Sequence, residues 1–351
     1  MDPAEEIRKK QRIKHILAEI VENLRFYFHE LQLKKFGQKS RFVVLNDISN
    51  IHMVGSKGLN LVTASFNSEL GSLTLRIAIK RFNSMDEAMH NKVLTNRLAK
   101  KLKGTGVLTP RVIFEHGTTL IYEGIPGESF YDSKIEHEYK LRLAGSALCQ
   151  YHSGDQRPVD PQRYVFLIKT VLKELQLPQE RLQKFIDRAG VLANQVLIYN
   201  SGTGGFGDFH PGNILFSVEQ TEEGAKRVQT WLIDPEYAEE AKTADRMEDV
   251  GTFFLHSAID LFTKDDNLKA FRNELQPFFE GYNRHLSQYG FSIYEIYKGN
   301  HETALSFHLG LNVLLEALFL QKKGNLNHDA VFNKWSNCIA LSNYLWKYGI
   351  K

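Results

Sequence analysis

The spacing of apolar residues changes near residue 126, and this change limits the folds that the chain can adopt. Between residues 39 and 126, β-branched and aromatic residues form short runs such as LNLVTASF and LTLRIAIKRF, separated by turn-forming segments. From about residue 136 onward, apolar residues recur at the three- and four-residue spacing of amphipathic helices. The chain is therefore predicted to be an α+β protein with a small antiparallel sheet first and a larger, mainly helical part after it.

The first part has a definite order of elements. RFVVLNDI, LNLVTASF and LTLRIAIKRF predict three consecutive strands, residues 85–102 predict a helix, and TPRVIFEHG and TLIYEGI predict two more strands. In the helical part, NILFSV and VQTWLID predict one hairpin across a polar turn. Residues 5–35 are predicted to form an amphipathic helix, which either packs on its own domain or binds a partner.

Length and composition narrow the class of protein. A chain of 351 residues with 42% hydrophobic residues fits two lobes with substantial cores. The net charge of +3 gives no reason to expect a nucleic-acid or membrane partner. Cys149 and Cys338 lie in apolar, helix-like surroundings and are predicted to be buried thiols. The charged start of the chain lacks the apolar run of a secretory signal, and residues 309–320 are predicted to be a buried helix, so a soluble cytoplasmic protein is expected.

The strongest chemical signal is the segment GDFHPGN at residues 207–213, followed by Asp234 at the end of the next predicted strand. A hairpin between them would bring Asp208, Asn213 and Asp234 to one edge. Phosphoryl transfer needs a carboxylate to orient the attacking hydroxyl and hard oxygen ligands for Mg²⁺. Asp and Asn are also common turn residues, but turn propensity does not explain the spacing of all three.

The runs GDFHPGNILF and LIDPEYA resemble the catalytic and metal-binding segments of the aminoglycoside phosphotransferase and choline/ethanolamine kinase superfamily. The resemblance covers roughly residues 40–255 and implies a protein-kinase-like bilobal fold. It implies that Asp208 is the catalytic base, and that Asn213 and Asp234 bind Mg²⁺. Glu248-Asp249-Val250-Gly251 is similar to a run that these enzymes place after the metal-binding aspartate.

Further segments resemble the nucleotide-binding parts of these kinases and appear in the matching order. Lys80 in IAIK resembles the strand lysine that holds nucleotide phosphates. The resemblance assigns Gly55, Ser56, Lys57 and Gly58 to a phosphate-covering loop, and Glu123 and Ile125 to the adenine-contacting hinge. Glu87, early in the helix that follows Lys80, is a candidate for the acidic partner of this lysine. His152 ends a helix where the family has a histidine that is more often structural than catalytic.

Three positions depart from the family pattern. Phe206 stands where the family has a histidine that supports the loop. Pro235 replaces an aromatic residue, and its fixed φ stiffens the metal-binding loop. The acidic partner of Lys80 is not evident, because the family position falls on Glu87 or on the neighbouring His90 or Asn91.

The sequence therefore predicts a helical extension at 1–38, a nucleotide-binding lobe at 39–126 and a catalytic, substrate-binding lobe at 127–351. The expected reaction transfers the γ-phosphate of ATP, with Mg²⁺, to a hydroxyl of a small metabolite such as an amino-alcohol, sugar or aminoglycoside. The alternatives are a nucleotide-binding pseudokinase with a regulatory role and an atypical protein kinase. Acids after Asp234 and aromatics near the C-terminus could favour a cationic acceptor, but they equally fit an exposed acidic face and ordinary helix packing, so the acceptor is not identified. No pattern indicates the oligomeric state.

Overall fold

The computed structural model describes residues 8, 11, 13, 37, 44–54, 59–125, 127–152, 156–175, 201–220, 224–235, 243–262 and 268–322. The chain divides into two compact units. The first comprises residues 1–100 and 109–127, and the second comprises residues 101–108 and 128–351. The boundary predicted from sequence, after residue 126, lies one residue before the division at 127/128.

The first unit is built on a five-stranded antiparallel sheet with the strand order β1-β2-β3-β6-β5. Its strands are β1 (Val44–Val54), β2 (Leu59–Ser68), β3 (Gly71–Arg81), β5 (Val112–His116) and β6 (Thr119–Glu123). Helix α1 (Met85–Lys101) follows β3. The predicted order of three strands, a helix and two strands is confirmed, although β1 ends later than its sequence pattern indicated.

The two faces of this sheet pack against different parts of the first unit, as the two-residue period of strands requires. On one face, Val62, Phe66, Ile77 and Ile121 form a core cluster that includes Ile13. Burial of Ile13, at 4% exposure, supports the interpretation that the N-terminal segment packs on its own domain. The rest of that predicted helix, apart from residues 8 and 11, lies outside the described residues.

On the other face, α1 covers the sheet. Ala88 of the helix packs with Leu120 and Tyr122 of β6 in a second cluster. The Tyr122 hydroxyl also donates a hydrogen bond to Oδ1 of Asn91 at 2.7 Å. Apolar packing and a partly buried polar contact together hold the helix in one position on its sheet.

The described part of the second unit contains two small sheets. Strands β4 (Val107–Leu108), β10 (Lys226–Leu232), β9 (Ile214–Gln220) and β7 (Glu128–Ser129) form one sheet in that order, with β4 parallel to β10. Strands β8 (Gly202–Gly204) and β11 (Thr243–Asp245) form the other. The predicted hairpin is β9–β10, whereas the two-residue strands β4 and β7 carry too little pattern to be found from sequence.

Helices make up most of the described part of the second unit. They are α2 (His137–His152), α3 (Pro161–Glu174), α4 (Arg246–Phe262), α5 (Leu268–Leu286), α6 (Ile293–Ile296) and α7 (His301–Lys322). The start of α3 shows a local cause, because the Asp160 carboxylate accepts from the N–H of Gln162 and Pro161 occupies the first turn. Cys149 in α2 is a buried free thiol, and burial raises its pKa to about 12.

Helix α7 is long and apolar enough to cross a membrane by length and composition. However, 67% of its most apolar 18-residue window is buried inside the protein, as in the core helix of a globular domain. It contains the stretch 309–320 that the sequence predicted to be a buried helix, and it extends for 22 residues.

Helices α2 and α5 approach each other closely through glycines. A Cβ atom added at Gly145 of α2 would lie 2.0 Å from the carbonyl oxygen of Phe278. A Cβ atom added at Gly281 of α5 would lie 2.0 Å from the carbonyl oxygen of Arg142. Since both neighbours are backbone atoms, only glycine allows this contact.

We expect Gly145→Ala to lower the free energy of unfolding by about 1–3 kcal/mol, because the added methyl group must separate the helices. At a helix position with free space around it, Gly→Ala would raise the free energy of unfolding by up to about 1 kcal/mol. The sign of the change therefore shows whether the two helices are in close contact at Gly145. Chemical denaturation should be compared with Lys169→Ala, an exposed helical control that should stay within about 0.5 kcal/mol of wild type. A stabilising effect of Gly145→Ala would contradict the close contact.

Candidate active site

The predicted catalytic segment forms a tight loop before β9. Gly207 has φ +90°, in the left-handed region that favours glycine, and residues Pro211–Asn213 form a single 3₁₀ turn. His210 precedes this turn, and its Nδ1 accepts a hydrogen bond from the N–H of Gly212 at 3.0 Å. The loop is therefore shaped by glycine conformation and by a side-chain cap.

The loop brings Asp208 and Asn213 into direct contact. Nδ2 of Asn213 donates to the backbone oxygen of Asp208 at 2.9 Å and to its Oδ2 at 3.2 Å. Asn213 is 6% exposed, so these bonds hold a largely buried amide in one orientation. Both bonds are donated by the amide nitrogen, so they do not involve the amide oxygen Oδ1, which is the atom suited to bind a cation.

The pairing of the two hairpin strands brings the backbone of Asp234 close to that of Asn213. Leu232 is paired with Ile214, and the N–H of Ile233 donates to the carbonyl oxygen of Asn213 at 3.1 Å. Asp234 is the next residue and has φ +51°, a left-handed conformation that is uncommon outside glycine. Such strained positions cluster at functional sites. Asp208, Asn213 and Asp234 are thus brought to one end of the β9–β10 hairpin.

The pKa of Asp208 lies below its ordinary value despite partial burial. Burial would raise the pKa of this carboxyl group, but the nearby His210 imidazole, the Asn213 amide and the charge of His256 outweigh that effect. Nε2 of His210 lies 3.6 Å from Oδ2 of Asp208. The carboxylate is therefore ionised at neutral pH and able to accept a hydrogen bond from a hydroxyl group.

The backbone before Asp208 is held by Asp249 of helix α4. Oδ2 and Oδ1 of Asp249 accept hydrogen bonds from the N–H groups of Phe206 and Gly207, each at 2.8 Å. Nε2 of His152 lies 3.0 Å from Oδ2 of the same carboxylate. Asp249 is 1% exposed, and bonds from main-chain and imidazole donors compensate the burial of its charge.

A chain of buried hydrogen bonds supports Asp249 from behind. Nη1 of Arg246 donates to the Tyr282 hydroxyl at 3.1 Å, and this hydroxyl lies 2.7 Å from Nδ1 of His152. Because the hydroxyl accepts from Arg246, it can donate to Nδ1, which leaves the imidazole proton on Nε2 facing Asp249. Burial lowers the pKa of His152 to about 4, against the opposing effect of Asp249. This geometry supports the structural role predicted for His152.

Phe206 packs where the resembling family has a histidine. Its fully buried ring lies 5.3 Å from the Tyr151 ring and 5.7 Å from the Phe209 ring, in edge-to-face contacts. Phe209 in turn lies 5.7 Å from Phe253 of α4. The side chain at 206 thus supports the loop by apolar packing, while its backbone N–H makes the polar contact with Asp249.

The donor set fits magnesium bound with phosphate oxygens. Among the residues that the structure describes, no three His, Cys, Asp or Glu side chains form a metal-binding group. Mg²⁺ commonly takes one or two protein carboxylates and completes its shell with water and substrate phosphates. One carboxylate from Asp234 and the Asn213 carbonyl oxygen match that requirement, so both remain predictions for metal binding.

In the first unit, the predicted phosphate-binding Lys80 is buried, at 7% exposure. Its position opposite Leu120 puts it on the sheet face covered by α1, and its Nζ lies 5.4 Å from the centre of the Phe82 ring. Lysines are mostly solvated surface residues, and the low exposure of Lys80 sets it apart from them.

The side chain of Glu87, predicted to partner Lys80, is exposed and accepts a hydrogen bond from the N–H of Asn83 at 3.0 Å. Asn91, the alternative at the family position, points toward the sheet and bonds Tyr122. Glu123 ends β6, where its carboxylate accepts a hydrogen bond from Nε of Arg111 at 3.1 Å, and Ile125 lies two residues further along the chain. The roles of these residues in nucleotide binding remain predictions.

Several predicted features lie outside the described residues. These are the loop Gly55, Ser56, Lys57 and Gly58, the acids Glu236, Glu239 and Glu240, and the C-terminal aromatics Trp335, Tyr344 and Trp346. Two contributors to the site were missed by sequence reasoning. The similarity of the Glu248-Asp249-Val250-Gly251 run gives Asp249 no specific role, and the sequence marks His210 only as a member of the loop.

No protein-family model matches the chain, and no curated protein matches it at a significant level. Solved structures do match. An ethanolamine kinase from Plasmodium vivax superposes with a TM-score of 0.51 at 13% identity, covering 87% of this chain and 83% of its own. A choline kinase from Cryptosporidium parvum superposes with a TM-score of 0.51 at 14% identity, covering 94% and 96%.

A third match is the macrolide 2'-phosphotransferase MphH from Brachybacterium faecium. Its TM-score is 0.50 at 13% identity, and the match covers 88% of this chain and 97% of that protein. These similarities show that the chain has a kinase-like fold of the α+β class, which confirms the predicted fold.

We expect the free energy of unfolding to fall as the pH is lowered from 6.5 toward 4. His152 is neutral in the fold, with a pKa of about 4 instead of 6.5, so the unfolded chain binds more protons throughout this range. Full loss of this contribution would amount to about 3 kcal/mol. His152→Gln should be less stable at pH 7.5 and should show a flatter profile between pH 6.5 and 4.

Urea denaturation at several pH values would measure these profiles. The exposed His90→Gln variant is the control and should follow wild type. A His152→Gln profile as steep as that of wild type would show that His152 is not held neutral by burial.

Proposed function

We propose that the protein is an ATP-dependent phosphotransferase that transfers the γ-phosphoryl group to a hydroxyl of a small molecule. The main support is the contact between Asp208 and Asn213 at the end of a hairpin that also carries Asp234. The fold shared with the P. vivax ethanolamine kinase, the C. parvum choline kinase and MphH adds weight, because each is named for transfer to a small molecule.

Asp208 is proposed to receive the hydrogen bond of the attacking hydroxyl. A carboxylate that stays ionised at neutral pH and is fixed by a neighbouring amide meets the requirements for orienting a nucleophile. Because phosphoryl transfer depends mainly on positioning and charge stabilisation, the rigid support from Asp249 contributes to the reaction through the loop backbone.

Asn213 and Asp234 are proposed to hold Mg²⁺, which when bound neutralises charge on the phosphate oxygens. Lys80 is proposed to bind nucleotide phosphates through its ammonium group. The charge of a buried lysine attracts an anion more strongly than that of a surface lysine, because less water screens the interaction. This suits a residue that binds phosphate.

A small acceptor is favoured over a protein. Only residues 235–245 separate Asp234 from helix α4, and three of them are taken up by strand β11. This leaves little chain to form an extended platform for a peptide substrate. Hydroxylated amines such as choline and ethanolamine, together with macrolides and aminoglycosides, form a first panel of acceptors.

We expect Asp208→Ala and Asp234→Ala each to reduce turnover by at least ~10²-fold, because they remove the proposed base and a proposed metal ligand. ADP formation with Mg²⁺ and ATP across the acceptor panel would measure this. Glu219→Gln, which changes an exposed acid on β9, is the control and should retain wild-type turnover.

Folded Asp208→Ala and Asp234→Ala variants that retained wild-type turnover would refute the proposed site. A wild-type protein stabilised against heat by ATP and Mg²⁺ but without turnover on any acceptor would instead favour a pseudokinase. Phosphate incorporation into added proteins would favour an atypical protein kinase.

A further inference from the structure

His210 uses its two ring nitrogens on different partners. Nδ1 accepts the N–H of Gly212 at 3.0 Å, and Nε2 lies 3.6 Å from Oδ2 of Asp208. An Nδ1 that accepts a hydrogen bond carries a lone pair, so the ring hydrogen is on Nε2. The loop's own backbone therefore directs an N–H group of the imidazole at Asp208.

Two donors meet at the same oxygen of Asp208. Nδ2 of Asn213 lies 3.2 Å from Oδ2, the atom that also faces Nε2 of His210. The described residues contribute no hydrogen bond to Oδ1. Oδ2 thus faces two donors of the protein, whereas Oδ1 accepts no hydrogen bond from the described residues.

The imidazole of His210 is restrained on further sides. A Cβ atom at Gly212 would lie 2.7 Å from Cε1 of His210, so a larger residue there would displace the ring from its present position. The ring of His256 lies 5.1 Å from the His210 ring, and the His256 backbone oxygen accepts a hydrogen bond from the Tyr131 hydroxyl at 3.0 Å. The ring is partly exposed, and its contacts with Gly212 and His256 limit the positions that it can take.

We propose that His210 is a positioning residue: its Nε2–H and the Asn213 amide together hold Oδ2 of Asp208, leaving Oδ1 to receive the acceptor's hydroxyl. This inference rests on the proposed phosphotransferase function. The 3.6 Å separation is long for a hydrogen bond, and such contacts commonly shorten when substrates bind.

In the reaction, a bond forms between the acceptor oxygen and the γ-phosphorus of ATP. The bond from that phosphorus to the bridging oxygen breaks, and ADP leaves with its electron pair. The hydroxyl proton passes to Oδ1 of Asp208. A carboxylate that rotated freely would present Oδ1 at the required place only part of the time, so fixing Oδ2 raises kcat.

A purely structural role for His210 makes a different prediction. In that case only the bond from Gly212 to Nδ1 matters, because it caps the 3₁₀ turn. Two substitutions separate the roles. His210→Asn keeps an acceptor at the Nδ1 position but no donor near Asp208, whereas His210→Gln places an amide donor near the Nε2 position and loses the local cap.

The experiment measures kcat, KM for ATP and the melting temperature of wild type and both variants. The assay uses Mg²⁺, ATP and the acceptor from the panel that gives the highest ADP formation. We expect His210→Asn to melt within about 2 °C of wild type, with kcat reduced by about 10- to 100-fold and KM for ATP unchanged. His210→Gln should melt about 2–4 °C lower and yet retain more of the wild-type kcat than His210→Asn.

Wild-type kcat in His210→Asn would overturn the positioning role, and so would a kcat that follows melting temperature across both variants. The control Glu219→Gln should match wild type in all three measurements. If wild type forms no ADP with any acceptor, the proposed function itself fails and the positioning role fails with it. An active wild type with an unaffected His210→Asn variant rejects the positioning role alone.

Discussion

The geometry of the candidate site depends on one buried carboxylate, that of Asp249. It accepts two main-chain N–H groups from residues 206 and 207 and faces the Nε2–H of His152, all at 2.8–3.0 Å. An unsatisfied charge at this depth would cost several kcal/mol, so the carboxylate and the loop stabilise each other's positions. Every later feature of the site, from the contact of Asp208 with Asn213 to the orientation of His210, builds on a loop whose first residues are fixed in this way.

Much of the fold could be predicted from residue patterns, because a strand or helix that is buried on one face has apolar residues at a regular spacing. The strands of the first unit, helix α1 and the hairpin β9–β10 all carry such a period. The hairpin brings Asp208, Asn213 and Asp234 to one end of its two strands. Strands β4 and β7 contain two residues each, and their pairing depends on distant neighbours. No local pattern could indicate them.

The supporting residues were harder to predict for a different reason. Asp249 and His210 act through single hydrogen bonds to backbone groups, and such bonds follow neither the period of a helix nor that of a strand. The burial of Lys80 was equally hidden, since the sequence shows only a cation at the end of an apolar strand. Resemblance to a family supplied its proposed role, and the sheet register supplied the reason for its burial.

The contact between Asp249 and the backbone of Phe206 tolerates sequence change in an unusual way. A main-chain donor is present whatever side chain the residue carries, so the anchor survives replacement of the residue that it holds. Position 206 can therefore exchange a polar ring for an apolar one, provided that the surrounding aromatics accept its shape. Divergence at such a position erodes recognisable motifs while the loop keeps its path, which is consistent with a chain that shares about one residue in seven with structures whose fold it retains.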